Sequence, residues 1–534
     1  LIVAKWENRV LLRFGVTIPV IASVACIAAC AVGPNYARPS QSTGQDYSTH
    51  PFEATATAPD VAGGTEQEFV MGRDIPFTWW AIFDSPKLNA LLERALKNNP
   101  NIAAAQAALR SAQETVQAQR GYYYPSVTAE FIPERQKLAG NLGGNSPGVQ
   151  GNGSVISTYQ NPNGPPYNAP VIFNMYTAQL NVGYTPDVFG ANRRQVESLQ
   201  AQADSLRYEM EATYITLAGN VVAAAIQEAS LREQVQATQA FIEQNLQALA
   251  ILHDQKRFGY AMGLDVAAQE SAVALAQQQL PPLQKQLEQT HDLLRALLGD
   301  TPDTTVDFTF EFSSLSLPKD LPVSLPARLI EQRPDVRAAE EQLHFASAQV
   351  GVAVAARLPQ FTLSGSVGGV ASEVNQLFSP GGPFWTLVGD ATQPLFAGFT
   401  LLHRERAAEE ALVQAQAQYR STVLTALQNV ADTLHAITTD AESLAACSRS
   451  ERAAKATVDI TEAQYRAGYV NYLTLLGAKE AYQTAVIARL QAQANRYGDT
   501  AALFQALGGG WWNREQAANG VSSRPAGAVP IPAS

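Results

Sequence analysis

The sequence predicts a mainly α-helical fold that carries membrane β-strands and is built by internal duplication. Three observations predict it: a plan that occurs twice, segments that alternate apolar and polar residues, and two tracts of nearly seventy residues almost free of proline and glycine. Pro100 and Pro125 lie 25 residues apart, as do Pro334 and Pro359. Leu109 and Val116 match Leu343 and Val350 at an offset of 234. Leu264, Leu294, Leu298 and Gly299 match Leu473, Leu503, Leu507 and Gly508 at an offset of 209. The offset falls because Pro125 to Pro186 spans 61 residues, whereas Pro359 to Pro394 spans 35. A repeated unit with one enlarged connection accounts for nearly the whole chain.

Residues 1–29 read as an export signal. Lys5, Arg9 and Arg13 give a positive start, Phe14 to Ala25 a short apolar run, and Ile27-Ala28-Ala29-Cys30 resembles a bacterial lipoprotein cleavage box. The run is too short to span a bilayer and holds Thr17 and Pro19, so it is not read as a transmembrane helix. Cys30 is the expected lipidation site, and Ala31 after it, not Asp, favours the outer membrane by analogy. Residues 30–76, rich in Pro, Gly, Ser and Thr, are expected to be an irregular lipidated tether. The first repeat is placed at 77–320, the second at 321–510, and a disordered tail at 511–534.

Within the first repeat, Leu88, Leu91, Leu92, Ala95 and Leu96 mark one apolar helix face, and a second helix is expected after Pro100. The period then changes to two. Val127, Ala129 and Phe131 alternate with Thr128 and Glu130; Tyr176, Ala178, Leu180 and Val182 alternate with Thr177, Gln179, Asn181 and Gly183. Phe361, Leu363, Gly365 and Val367 repeat the pattern in the second copy, with a less regular fourth strand near 384–393. One apolar and one polar face over ~10 residues is the pattern of a barrel strand between lipid and a wet lumen. The loop at about 136–172 is too polar to cross lipid and is placed outside the cell.

Each strand pair is followed by a long helical tract. Residues 399–467 contain no Pro or Gly, and residues 191–258 contain only Gly219. At ~1.5 Å per residue a helix of this length reaches ~100 Å, too long for a compact globular domain, so it must pack as a coiled coil or helical barrel. Glycine-containing breaks follow at 258–263 and 467–472, then returning helices at about 264–298 and 473–507. Pro281-Pro282 is expected to kink or break the first of these.

Composition excludes several functions. A formal charge of −11 is wrong for nucleic acid, whose phosphates demand Lys and Arg. Of three cysteines, Cys447 alone remains after the signal and the lipidation site, so no internal disulfide is expected. The charged fraction of 16% is low for a soluble helical protein and points to burial in an assembly. Gly144-Asn145-Ser146-Pro147-Gly148 fits G-x-S-x-G but sits in a loop, not in a strand-turn-helix elbow. Six scattered histidines form no metal-ligand pair, and there is no phosphate-binding loop or dinucleotide fingerprint. No enzyme, cofactor or metal site is expected.

A closed membrane barrel needs at least ~8 strands, because open edges cannot survive in lipid. Four strands per chain therefore demand association, and three copies would supply twelve. At this point the chain resembles the outer membrane factor family, the TolC-like channels, in its lipoprotein branch serving resistance-nodulation-division multidrug pumps. The residues that carry the resemblance are Cys30 to Pro39, Trp79-Trp80 with Phe83-Asp84, Asp187-Val188-Phe189-Gly190 with Arg193-Arg194, Gly263-Leu264-Asp265-Val266, Arg333-Pro334-Asp335-Val336, Tyr465-Arg466-Ala467-Gly468 with Tyr472 to Leu476, and Ala506 to Trp511. The resemblance implies a homotrimer with a twelve-stranded β-barrel that continues into a periplasmic α-helical barrel. It implies a passive efflux duct, a periplasmic adaptor docked at the helix tips and an inner-membrane transporter. A TolC-like duct for type I protein secretion shares this fold and stands as the alternative. The tips are assigned to Gly259, Gly263, Gly468 and Tyr472. The gate is assigned to Leu473 and to Asp265, the latter as a ring of three carboxylates, a helix-capping residue, or both. Gly477 stands where the family has an acidic gate residue, which puts a ring from the second copy in doubt, and Tyr465 and Arg466 are further candidates for holding the tips shut.

Overall fold

The structure, a computed structural model, describes residues 31–39, 46–48, 52, 54–59, 61–138 and 171–514. Cys30, the export signal, the G-x-S-x-G loop and the tail beyond residue 514 lie outside the described residues. The chain divides into two compact units: residues 1–37, 112–203 and 343–415 form the first, and residues 38–111, 204–342 and 416–534 the second.

The first unit contains an antiparallel sheet of β2 (Ser126–Leu138), β3 (Val171–Tyr184), β5 (Gln360–Ala371) and β6 (Pro383–Thr392), in the order β2-β3-β5-β6. Its register explains the alternation. Val127 faces Val182, Leu180 faces Val367, and Val367 faces Trp385, so these share one side of the sheet. That side is apolar and exposed: Val127, Phe131, Leu180, Val367, Trp385 and Leu387 all point away from the protein. The other side carries Thr128, Glu130, Gln179, Asn181, Ser366 and Asp390 by the same register, and Gln179 Nε2 donates to Glu130 at 3.1 Å. The fourth strand is as regular as the others. Gly389 and the exposed, mixed run from Pro383 to Thr392 blur its period in sequence.

The start of the described chain is docked on this unit. Val32 donates its N–H to the Phe189 carbonyl at 3.1 Å. Gly33, at φ +89°, lies so close to Gly351 that a Cβ would sit 2.4 Å from its Cα. Arg194, 3% exposed, binds the Val32 carbonyl at 3.1 Å, Asn35 Oδ1 at 2.7 Å and Glu197 at 2.8 Å.

The second unit holds the main core. α1 (Pro86–Asn98) starts with Pro86 at its first turn and Ser85 accepting the Leu88 N–H, and it buries Leu88, Leu91, Leu92 and Ala95. Asn99 ends it, and α2 (Pro100–Arg120) begins at the expected proline. Trp79 stacks on Phe504 at 5.5 Å, Phe312 stacks on Tyr497 at 5.4 Å, and the Tyr497 hydroxyl donates to the Leu315 carbonyl at 2.8 Å. Glu228 is fully buried, and its carboxyl meets Arg232, His291 and the Phe310 N–H.

The long helices are α3 (Ala191–Arg257) and α7 (Thr400–Arg466), 67 residues each, returning as α4 (Gly263–Leu298) and α8 (Tyr472–Ala506). In α7 the buried residues Val423, Ala426, Val430, Leu434, Ile437, Ala441 and Leu444 recur every three or four positions, the seam of a coiled-coil-like packing. No helix among the described residues is long and apolar enough to cross a membrane.

Of the two outcomes expected at Pro281-Pro282, a kink or a break, the break does not occur: α4 runs unbroken through both, and residues 277 and 278, whose carbonyls lose their donors, are exposed and can bond water. Two further expectations are corrected. The tether is not wholly irregular: β1 (Glu68–Met71) pairs in parallel with β4 (Asp320–Val323), and Thr55, Ala58 and Gln67 are buried. The tail expected to be disordered from residue 511 is ordered at its described start: Trp511 and Trp512 donate their indole N–H groups to the Gln332 carbonyl and Asp74, and Arg514 pairs with Glu211. The remaining helices are α5 (Pro326–Gln332) and α6 (Pro334–Ala355), the latter opening the second copy.

Candidate functional site

The two turns that join α3 to α4 and α7 to α8 are built alike. The Gly259 N–H bonds the Lys256 carbonyl at 3.0 Å and the Tyr260 N–H reaches back to the Gln255 carbonyl at 2.8 Å. Gly468 and Tyr469 repeat this with Tyr465 at 3.0 Å and Gln464 at 2.9 Å. This is the Schellman arrangement, which needs a residue at positive φ. Gly259 has φ +80° and Gly468 φ +78°, with nothing within 4 Å of an added Cβ, so conformation and not space selects glycine at both.

The chain then re-enters a helix by two different caps. At the second turn Asn471 Oδ1 accepts the Thr474 N–H at 2.9 Å. At the first, Met262 occupies the cap position and half-buried Asp265 reaches back to accept the Met262 N–H at 3.1 Å. Asp265 is therefore a capping carboxylate, and Gly263 opens the helix it caps. Tyr260 and Tyr469 are 84% and 83% exposed, with Phe258 and Met262 exposed beside Tyr260, so the turns present large side chains to their surroundings.

Just inside the turns lies a small core of Leu252, Val266, Ala272, Tyr472, Leu475 and Leu476. Tyr472 is buried within it and is not part of the outer tip surface. Its hydroxyl donates to Gln269 Oε1 at 2.7 Å, and Gln269 Nε2 in turn reaches both the carbonyl and Oδ1 of Asn245 at 2.8 Å. This buried chain ties α8, α4 and α3 together. Tyr465 packs edge-on against Tyr472 at 5.6 Å. Burial, followed by the neighbouring Tyr465 and Asp265, pushes the Tyr472 phenol up to about 12. Burial and then Asp265 raise Tyr465 as well.

The remaining candidates face outward. Leu473 is partly exposed next to the buried Tyr472, Gly477 is exposed with open space at its Cβ position, and Arg466 pairs with Glu462 on its own helix at 2.7 Å. The Gln269–Asn245 link was not visible in sequence. Two amides 24 residues apart on opposite arms of a hairpin carry no local pattern, and only their shared burial identifies them.

A sequence profile of the family described as Outer membrane efflux protein matches residues 91–300 and 325–509. Over 433 residues the chain is 28% identical to the pyoverdine export outer membrane protein OpmQ of Pseudomonas putida, covering 81% of this chain and 88% of that protein. It is 26% identical over 485 residues to the solvent efflux pump outer membrane protein SrpC of Pseudomonas putida, covering 91% and 96%. The solved structure of the outer-membrane channel OprN superposes with a TM-score of 0.77 at 26% identity, over 90% of this chain and 100% of that one. The Campylobacter jejuni CmeC outer membrane channel shares the fold, with a TM-score of 0.76 at 20% identity over 92% of this chain and 98% of that one.

Proposed function

The chain belongs to the outer membrane efflux protein family, and on that premise we propose that three copies form the passive outer-membrane duct of a tripartite pump, exporting small toxic organic compounds. The observation that carries this reading is one chain that joins a sheet with an exposed apolar face to two 67-residue helices ending in matched glycine turns. The sheet suits a membrane, and the helices suit a conduit in the periplasm. The duct supplies no energy. That role falls to an inner-membrane transporter of the resistance-nodulation-division type, coupled by a periplasmic adaptor.

The adaptor docks on the tips around Gly259, Gly263 and Gly468, where Phe258, Tyr260 and Tyr469 offer exposed rings. Leu473 and Asp265 narrow the pore just inside, with Tyr465 and Arg466 flanking them. Gly477 brings no charge, so Asp265 is the acidic group of this gate. Cys30 carries the lipid anchor after removal of residues 1–29. Residues 77–320 and 321–510 act as two quasi-equivalent staves of each protomer.

Replacing Gly468 with valine tests the tip assignment. A β-branched residue at positive φ strains the turn by about 1–2 kcal/mol. That is enough to reshape the tip, and too little to unfold helices packed along their length. Expected are outer-membrane oligomers at the parental level with a severalfold loss of adaptor-dependent drug tolerance. Unchanged tolerance would remove the tip from the docking surface.

A further inference from the structure

Charge is sorted across the sheet. Its four strands carry five charged side chains: Glu130, Glu134, Arg135 and Lys137 on β2, and Asp390 on β6. By register the three acids face the polar side, whereas both bases face the apolar side, in one row with Val127 and Phe131. The β2–β3 register runs without a bulge from Ser126 to Leu138, so no local slip puts them there. Arg135 and Lys137 are exposed, and their side chains make no ion pair among the described residues. The chain offers them no acid close by. Residues 139–170 contain no Asp or Glu, and Glu373, the one acid between β5 and β6, takes the Gln376 amide at 3.4 Å. Closure through β6 of a neighbouring copy adds none, because Asp390 lies on the polar side near the helical end of that strand. Two cations in a lipid-facing row, without a counter-charge from their own chain, call for an anion from outside.

We propose that Arg135 and Lys137 form a binding site for the phosphate groups of lipopolysaccharide in the outer leaflet. The proposal rests on reading the sheet as part of a membrane barrel and names the lipid this surface takes. Depth selects the leaflet. β2 leaves the helical end of the unit at Ser126, and Val127 is its first apolar residue on the lipid side. Arg135 and Lys137 follow eight and ten residues later. At a rise of ~3.3 Å and a tilt of ~40° that is roughly 20 and 25 Å along the membrane normal, against an apolar band of ~25 Å. Both stand at the far boundary of the band, where a cation on the lipid face costs least. With the helices in the periplasm, that boundary faces the cell exterior, and its leaflet is a phosphorylated glycolipid whose phosphates are otherwise bridged by divalent metal ions. Alternate residues of a strand lie about 6.6 Å apart, so both side chains can reach one phosphate. The guanidinium binds it through two N–H groups, and the ammonium adds a point charge. Together they take the place of a bridging metal ion.

The test is native mass spectrometry of the full-length protein in detergent with added bisphosphorylated lipid A, with and without EDTA. Expected is lipid A retained on each protomer, unchanged by EDTA and reduced at least fivefold in the double variant Arg135→Gln/Lys137→Gln. Neither side chain has an ion pair to lose, so this variant breaks none within the chain. Glu130→Gln, on the polar side of the same strand, should keep parental retention. Parental retention in the double variant, an equal fall in Glu130→Gln, or loss of the lipid in EDTA would each overturn the site. Phosphatidylglycerol retained as well as lipid A would overturn the lipopolysaccharide assignment. The membrane reading is checked separately in vesicles containing brominated phospholipid, where the emission lost on Trp385→Phe isolates the Trp385 signal. Quenching of Trp385 together with parental lipid A retention in the double variant would overturn the site alone. Absence of quenching would overturn the barrel reading and the site with it.

Discussion

Arg194 shows how much of this architecture turns on single side chains. A guanidinium only 3% exposed must be matched by acceptors, and here three come from the docked N-terminal segment: the Val32 and Gly33 carbonyls and Asn35 Oδ1. Glu197 supplies its counter-charge and is shared with His344 at 3.0 Å. Bonds from Arg194 and from His344 hold the Glu197 carboxyl below its usual range against the opposing effect of burial. His344 also stacks on Tyr36 at 4.3 Å, so this network grips residues 32–36 at several points. Glycines at 33, 190 and 351 permit the close approach, since a Cβ at any of them would clash with backbone. If Cys30 is acylated, this grip fixes where the anchor leaves the protein. Replacing Arg194 with glutamine removes charged hydrogen bonds worth about 2 kcal/mol net, or roughly a thirtyfold shift in local opening. Hydrogen exchange at the Val32 amide, bonded to Phe189, should quicken by about that factor, while exchange in the α7 seam stays unchanged. Parental protection at Val32 would mean the grip lies elsewhere.

Between elements, α7 and α8 meet at a pair of carboxyls. Asp440 on α7 is raised to about 7, first by burial, then by its bond to Asp499 on α8 and that group's charge, with Arg496 opposing. An unfolded Asp titrates near ~4. Between pH 4 and 7 the native state therefore holds a proton that the unfolded chain releases. The stabilisation is complete below pH 4 and is lost as pH rises towards 7. Replacing Asp440 with asparagine should flatten this decline and raise the unfolding midpoint at pH 7.5 above the parental value. Thermal melts in detergent from pH 4.5 to 7.5 check both, and a parallel decline in the mutant would exclude the pair. Such a pair is illegible in sequence because its members lie far apart on separate helices. The β1–β4 pairing escaped for a related reason: two four-residue strands more than 200 residues apart have no period to read. What the sequence did reveal has repeating signal, namely the alternation of β2, β3 and β5 and the unbroken tracts that became α3 and α7. Pro281-Pro282 leaves α4 unbroken because the carbonyls it orphans, those of residues 277 and 278, are exposed and can bond water.

At the scale of the whole protein, the sheet order leaves β2 and β6 each with one edge unpaired among the described residues. Alternate residues of a strand turn their N–H and C=O groups outward, so the ten-residue β6 exposes about five such pairs along its free edge. Each unsatisfied group in hydrocarbon costs several kcal/mol, a sum of tens of kcal/mol that no domain of ordinary stability, about 5–15 kcal/mol, can absorb. The edges must meet partners. Two chains would close eight strands, a barrel whose interior side chains nearly fill. Three chains give twelve and leave a lumen, lined by Thr128, Glu130, Asn181 and Ser366, for cargo to pass. Closure by identical copies then requires β6 of one protomer to lie against β2 of the next. With Cys447 replaced by serine, Ala129→Cys on β2 can be combined in turn with Trp385→Cys, Leu387→Cys, Gly389→Cys or Ala391→Cys on the same face of β6. One of the four pairs should oxidise efficiently in membranes and give bands that stop at three chains on a non-reducing gel. A ladder that ended at two, or that ran past three, would refute the twelve-stranded ring.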